Sequence, residues 1–455
     1  MSKVSSREAA LQAFERVGLT ETISYSLGDC GFNLYWAPLT AFLMIYLTDV
    51  AGLSVAAVGT LMVVMRLLGA VADPVFAALA DRTRTQYGHY RPYFLWLCVP
   101  LAASGILAFS MAGLPEVGKL AAVYVSLNIL YLVYTAIMVP YNALSGVMTP
   151  DPVQRETVMS VRFGLAFLTA VLITWVTPKL IAFTGIGQEA LGWQFAMTVY
   201  GVLAVVIFLN LFLNVKERFA TEMRPGTNAF QDIMDLLRSP PWLALAAAGF
   251  VVMMATALHT GVSSYYIKYF AGRPDLLTPF AMCYGLGLAA GSAASSWLAR
   301  KSSRRSLIAL SLGVAGAAGI GLYLVPPSEI GVMFALQIVT GVAFGPVSTL
   351  TFVMYADTAD HNAWKTGRRA TAMTFSGIMC VKKIGAALAA ALIGWALSAK
   401  GYEANVAASS GLLENIRLLV GVLPAILAAA GAGLIWLYNP DADARRGGAL
   451  VSPAE

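Results

Sequence analysis

Apolar runs long enough to cross a hydrocarbon core, which takes about 20 residues each, recur from Thr22 to Tyr438 with short polar breaks between them. Twelve are legible, near residues 22–49, 54–80, 92–113, 119–148, 157–184, 191–213, 241–270, 276–299, 305–324, 330–356, 370–398 and 412–438. Many carry Gly and Pro, which membrane helices tolerate because neighbouring groups re-satisfy the freed backbone. A spanning barrel reads instead as short segments of alternating hydrophobicity, and no such alternation is present. The expected fold class is an all-α membrane protein with twelve transmembrane helices.

The longest polar interval between runs, Asn214 to Pro241, leaves six spans on either side. It divides the chain into an N-terminal six-helix bundle (1–213), a middle loop (214–240), a C-terminal six-helix bundle (241–438) and a tail (439–455). Within the loop, Phe230, Ile233, Met234 and Leu237 recur at helical spacing, which predicts a helix lying in the membrane interface. The halves echo each other: Pro140 precedes Asp151 by the same interval as Pro346 precedes Asp357, with Met148 and Met354 in register. Duplicated halves around a central cavity, the arrangement of major facilitator transporters, follow from this layout.

Composition agrees: 58% of the 455 residues are hydrophobic and only 12% charged. Lys and Arg crowd one side of the predicted membrane, in the N-terminal arm, at Arg82, Arg84, Arg91 and Arg155, and in the stretches 216–238, 300–305, 365–369 and 445–446. The positive-inside rule then makes both termini cytoplasmic in a multi-pass inner-membrane protein. The net charge of +6 records topology and calls for no nucleic acid partner. The N-terminal arm is too polar for a signal peptide; Leu11, Phe14 and Val17 predict a short amphipathic helix on the inner surface. The tail from Pro440 is expected to be disordered. Cys30, Cys98, Cys283 and Cys380 lie inside spans without metal-ligand spacing, and His89, His259 and His361 are scattered. No catalytic motif is present, no metal site or cofactor is implied, and the reading is of a monomer that is not an enzyme.

Candidate chemistry lies in polar residues within the spans, because a charge in lipid is costly unless it faces a partner or a water-filled path. On the first span Tyr25, Asp29, Phe32, Asn33 and Trp36 share one helical face. An acid, an amide and aromatics together suit a sugar, whose hydroxyls need acceptors and whose ring stacks on aromatic planes; the competing reading is that Asp29 and Asn33 only glue helices together. Arg66 and Asp73 share a face of the second span, as a structural pair or as a charge-tuned carboxylate. Tyr124, Asn128, Tyr131, Thr135, Met138 and Asn142 line one side of the fourth. His259 reads chiefly as a hydrogen-bonded packing residue. Lys382 and Lys383 point about 100° apart on the eleventh span, so one of them at most faces a cavity centre.

Four motifs converge on one family. GDCGFN at 28–33, ADPVFAALADRTRTQYGHYRP at 72–92, PYNALSGVMTPDPVQRETVMSVRF at 140–163 and DTADHNAWKTGRRATAMTFSGIMCVKKIG at 357–385 resemble the glycoside-pentoside-hexuronide:cation symporters, the branch of the major facilitator superfamily that includes the melibiose carrier. The resemblance spans nearly the whole chain. It implies that Asp73 serves the coupling cation, that Thr135 belongs to the cation site, and that Lys383 lies near both cation and sugar. Gly69 stands where the melibiose carrier has a second cation-site aspartate, and Ala72 replaces an asparagine. A sodium shell wants several oxygens whereas a proton needs one carboxylate, so the departure favours protons. Asn33, Met138 and Asn142 replace an aspartate, an aspartate and a tryptophan of the carrier's sugar site, which argues against galactosides. A hexuronide would favour Arg66, Arg162, Lys382 or Lys383 as partners.

The expected function is a secondary symporter that imports a sugar, glycoside or hexuronide with a cation, H+ before Na+, by alternating access. Substrate contacts are assigned to Tyr25, Asp29, Asn33, Trp36, Asn128, Tyr131, Asn142, Arg162 and Lys383, and cation coupling to Asp73, Arg66, Thr135 and Lys383. Asp81, Arg82, Arg84, Arg155, Asp357, Asp360 and Arg369 are placed to form a cytoplasmic gate, or are simply solvated topology signals. The alternatives are a carrier of lysolipid-like amphiphiles and a membrane sensor that binds sugar without moving it.

Overall fold

The structure, a computed structural model, describes residues 16–43, 46–111, 115–149, 151–184, 189–218, 229–366, 371–400 and 409–438. The disordered tail expected at the C-terminal end, Leu11 and Phe14 of the expected amphipathic arm, and Arg369 of the expected gate lie outside these residues; Val17, the arm's third apolar position, is described and is not helical, its N–H donating to Gln154 Oε1 at 3.0 Å. Among them there is no β-strand, only an isolated bridge between Thr85 and Gly88. The chain forms α1 (Leu19–Ala41), α2 (Val55–Arg82), α3 (Pro92–Ala108), α4 (Glu116–Met148), α5 (Pro152–Ala182), α6 (Glu189–Asn214) and the short α7 (Ala229–Leu237). It continues with α8 (Pro240–Tyr265), α9 (Leu277–Ala299), α10 (Arg304–Leu324), α11 (Ile330–Thr366), α12 (Thr371–Ser398), α13 (Ser410–Arg417) and α14 (Leu423–Leu437). Each predicted apolar run falls on a helix, the last on α13 and α14 joined by a π-helical turn at Leu418–Val422.

Local chemistry sets several boundaries. Ser54, Asp151, Ser303 and Ser409 each accept a backbone N–H from the turn they open, at Ala57, Val153, Ser306 and Leu412, and such caps are worth about 1 kcal/mol each. Pro152 follows Asp151 at the first helical position, where its missing N–H costs nothing. The repeat noted at Pro140 and Pro346 diverges here. In the first half, Pro150 and Pro152 bracket Asp151 and α4 stops at Met148; the second half has no proline between Pro346 and Thr366 and α11 runs on through Asp357 to Thr366.

A second internal repeat is visible in the backbone. Tyr46–Val50 and Tyr266–Phe270 are both π-helical turns that follow the first span of their half. The same two bonds close each turn: Ala51 N–H to Tyr46 O and Leu53 N–H to Leu47 O in one, Ala271 N–H to Tyr266 O and Arg273 N–H to Ile267 O in the other. Gly52 and Gly272 follow with φ of 74° and 67°, a left-handed conformation open to glycine at little cost. The shared residues, Tyr and then Ala-Gly five positions on, were available in the sequence.

The helices fall into two compact units. One comprises residues 1–222 with 371–376, the other 223–370 with 377–455. In the first, α1 packs on α5 and α6, α2 on α4, and α3 on α4 and α6. In the second, α9 packs on α11, α8 on α14, and α10 on both α11 and α14. The α9/α11 seam is backbone against backbone: a Cβ at Gly287 would fall 2.6 Å from Ile338 O, and one at Gly291, Gly341 or Gly345 would strike Val342 O, Tyr284 O or Ser292 N. Two small-xxx-small pairs, Gly287 with Gly291 and Gly341 with Gly345, thus do what packing between helices in lipid requires.

Candidate functional site

The first unit gathers three of the predicted substrate residues around the guanidinium of a fourth. Arg162 enters from α5 and is 1% exposed. Its Nε donates to Asp29 Oδ2 at 2.7 Å, Nη1 to the Tyr25 hydroxyl at 3.0 Å and Nη2 to Asn142 Oδ1 at 2.8 Å. Three helices, α1, α4 and α5, therefore meet at one charge. The guanidinium also lies 4.4 Å from the centroid of the Tyr141 ring, a cation–π contact that strengthens with desolvation. Tyr141 stacks on Tyr25 at 4.7 Å, and each hydroxyl donates to the other's backbone carbonyl. Tyr141 was not singled out from sequence, although it sits between Pro140 and Asn142 in a quoted motif.

The helix spacing explains the convergence. Tyr25 and Asp29 are four apart on α1, hence on one face, and glycine at 28 and 31 lets that helix approach its neighbours. A Cβ at Gly28 would lie 2.6 Å from Tyr141 Cε2, and one at Gly31 3.1 Å from Phe208 Cζ. A buried charge survives only when paired and hydrogen-bonded, and every nitrogen of Arg162 has a partner here. Asp29 spends one oxygen on this task; its Oδ1 accepts no hydrogen bond among the described residues.

The other predicted substrate contacts stand apart from that cluster. Asn33 donates to Asp29 O, one turn back on its own helix. Trp36 is 44% exposed and stacks on Tyr134 at 6.0 Å. Asn128 donates to Tyr124 O, and its buried Oδ1 has no hydrogen-bond donor among the described residues. Lys383 belongs to α12 in the second unit; next to it, Lys382 Nζ lies 5.8 Å from the Phe352 ring.

In the candidate cation region, Asp73 on α2 is 3% exposed and Thr135 on α4 is also 3% exposed. Arg66 occupies α2 two turns before Asp73. Between them lies Gly69, where a Cβ would sit 2.8 Å from the Tyr131 hydroxyl, with the ring edge closer still. The Tyr131 ring thus fills the space where a side chain at position 69 would begin.

Of the predicted gate residues, Asp81 is 2% exposed and its carboxylate accepts the Tyr90 hydroxyl at 2.6 Å and the N–H groups of Ala372 and Met373 at 3.0 and 3.1 Å. Those two residues open α12, in the segment 371–376 that clusters with the first unit; a carboxylate at a helix N-terminus is favoured by its free N–H groups and dipole. Arg155 is buried at the start of α5 and donates to Thr149 O at 3.1 Å. Arg82 and Arg84 are exposed. In the second unit Asp357 pairs with Arg304 at 2.5 Å, and Asp360 lies a turn further along α11. Sequence reasoning missed Tyr90 and the acids and bases that support this end of the first unit, Glu21, Glu217 and Arg218. The visible signal was the run Lys216-Glu217-Arg218 directly after the sixth span.

The model for MFS/sugar transport proteins matches residues 24–442. The chain belongs to that family. Over 422 residues it is 32% identical to the putative glycoside/cation symporter YagG of Escherichia coli K12, covering 92% of each protein. It is 30% identical over 433 residues to the isoprimeverose transporter of Lactiplantibacillus pentosus, covering 93% of this chain and 89% of that one. The crystal structure of the E. coli fucose:proton symporter FucP aligns with a TM-score of 0.66 at 14% identity, over 92% of this chain and 99% of that one. The membership in the glycoside-pentoside-hexuronide:cation symporters expected from four motifs is borne out, and with it the twelve-helix major facilitator fold. This member of the MFS/sugar transport family is a multi-pass inner-membrane transporter of the sugar symporter class, and not an enzyme.

Proposed function

We propose that the protein imports a neutral sugar or glycoside together with a proton, by alternating access between two six-helix bundles with both termini in the cytoplasm. The observation that carries the substrate reading is that the charge of Arg162 is already balanced by Asp29. Arg162 is buried and already paired with the Asp29 carboxylate at 2.7 Å, so a hexuronide carboxylate bound there would be a second buried negative charge against one guanidinium, which is costly. The acceptors left open, Asp29 Oδ1 and Asn128 Oδ1, match the hydroxyl donors of an uncharged sugar. In this reading Tyr25 and Arg162 hold Asp29, Asn142 anchors the cluster, Asn33 and Tyr131 extend the polar stripe, and Trp36 offers a ring face.

The coupling ion is assigned to Asp73, with Arg66, Thr135 and Lys383 tuning its affinity. Proton coupling is supported by position 69, where Tyr131 occupies the volume that a second carboxylate needs. One carboxylate suffices for a proton, while sodium requires a shell of oxygens. Coupling asks that each ligand raise the other's affinity, a term of about 1–3 kcal/mol. Asp81, Arg82, Arg84, Arg155, Asp357, Asp360 and Arg369 are assigned to the cytoplasmic gate.

Counterflow of labelled sugars in proteoliposomes tests the substrate reading. A panel of neutral pentosides, hexosides and xylosyl disaccharides should contain exchanging substrates, whereas free hexuronates should not compete. Competition by hexuronates at least as strong as by neutral glycosides overturns the neutral assignment, and competition by lysolipids alone would put an amphiphile carrier in its place.

A further inference from the structure

Three consecutive residues after α6 organise one end of the first unit. Glu217 accepts three successive backbone N–H groups, Tyr90 and Arg91 on Oε1 and His89 on Oε2, each at 2.8 Å. The loop before α3 is folded around this carboxylate. Gly88 carries φ of 108°, and a Cβ there would fall 2.5 Å from Glu217 Cδ, so only glycine leaves room for the acid. Arg91 closes the same corner by donating to Phe212 O at 2.7 Å. On the other side Arg218 grips Glu21 at the start of α1 with two bonds of 2.7 and 2.8 Å, and its N–H donates to Val147 O at the end of α4. Lys216 N–H adds a third bond to Glu21 at 3.0 Å.

The loop that Glu217 holds delivers Tyr90, which is 0% exposed, to Asp81. A carboxylate that receives a tyrosyl proton at 2.6 Å on one oxygen is fixed in rotation, and both of its oxygens then face the N–H groups of Ala372 and Met373. We infer that Glu217 and Tyr90 are positioning residues for Asp81. Glu217 shapes residues 88–91, Tyr90 orients the carboxylate, and the oriented carboxylate seats the first turn of α12. The chain that leaves Arg218 is the connection between the halves, so the seat of α12 is set by the residues that anchor this connection. The inference deepens the gate reading of Asp81 and rests on it.

The test uses the full-length protein in inverted membrane vesicles, with its four cysteines replaced by serine and a Ser376→Cys reporter in the seated turn. Tyr90→Phe removes one hydroxyl, and Glu217→Gln removes the charge that holds the loop. Each should raise the maleimide labelling rate at position 376 at least fivefold. Asp81→Asn should raise it as far, and adding Tyr90→Phe to Asp81→Asn should change nothing more, because both act through one carboxylate. A purely structural role for Tyr90 predicts an unchanged rate, or an effect that adds to that of Asp81→Asn, and either result overturns the inference. If Glu217→Gln fails to fold, Tyr90→Phe alone decides. Failure of the gate reading is separately visible: Asp81→Asn would then leave the ratio of influx to efflux affinities for the sugar unchanged even where labelling at 376 rises.

Discussion

Replacing Asp29 by Leu strips Arg162 of its counter-charge while leaving the guanidinium buried. The two side chains are 8% and 1% exposed and 2.7 Å apart, so water screens neither of them. Removing one member of such a pair costs about 3–5 kcal/mol, whereas replacing both by apolar residues of similar volume is close to neutral. For a unit the size of residues 1–222, each kcal/mol moves Tm by about 2–4 °C. Asp29→Leu should therefore lower the Tm of the first unit by roughly 6–20 °C, read by differential scanning fluorimetry in detergent. Asp29→Leu with Arg162→Met should recover most of that loss. Sugar counterflow should vanish in the single variant and stay absent in the double, because Asp29 Oδ1 is then missing from the site. A single variant whose Tm stays within about 2 °C of the parent refutes the burial argument. A double variant that regains counterflow with its stability shows that the pair is only helix glue.

Gly69→Asp should cost about 1–3 kcal/mol by overpacking against Tyr131 and should confer no sodium stimulation of sugar counterflow, measured from 0 to 100 mM NaCl at about constant ionic strength; stimulation by sodium would contradict the account of this position. Gly291→Leu should abolish detergent-stable protein, since the α9 backbone lies directly on Val342 O, and size-exclusion chromatography reads the loss. His259→Leu removes the ring that joins Val420 O and Gln337 Oε1 at 3.3 and 3.0 Å; the unpaired groups left behind cost about 1–3 kcal/mol, and His259→Leu with Gln337→Leu should regain part of it in the same melting assay. Arg417→Met should lower the Tm of the second unit mainly through the lost bond from Nε to Tyr323 O at 3.0 Å, while Glu414→Gln, which weakens a partly exposed ion pair and keeps an amide oxygen to accept the Tyr323 hydroxyl, should cost less than about 1 kcal/mol.

The fold was legible because bilayer thickness fixes helix length, and that constraint writes itself into each apolar run. Boundaries were legible only where a breaker marks them. Pro150 and Pro152 stop α4, but nothing in the residues after Met354 announces that α11 continues to Thr366, where polar side chains at helical spacing read equally well as a loop. The site was half legible. Asp29 and Arg162 declared themselves as charges within spans, yet that three helices bring Asp29, Tyr25 and Asn142 to separate nitrogens of one guanidinium is a fact of packing that no spacing encodes. Trp36 shared a predicted face with Asp29 but stacks on Tyr134, because seven residues carry it about 10 Å further along the helix axis to a different neighbour. Glu217 was hidden for another reason: a carboxylate that binds backbone N–H groups pairs with no particular side chain, so its partner sequence carries only the glycine at 88.

Proton movement is the most direct test of the central claim. Neutral glycosides are added to lightly buffered, de-energised vesicles containing the protein, without sodium, and the external pH is followed for the parent and for Asp73→Asn. Proton symport through Asp73 predicts alkalinisation evoked by substrate in the parent and none in the variant, with substrate counterflow retained by the variant. Substrate uptake that leaves the external pH unchanged and rises when sodium is added would contradict it.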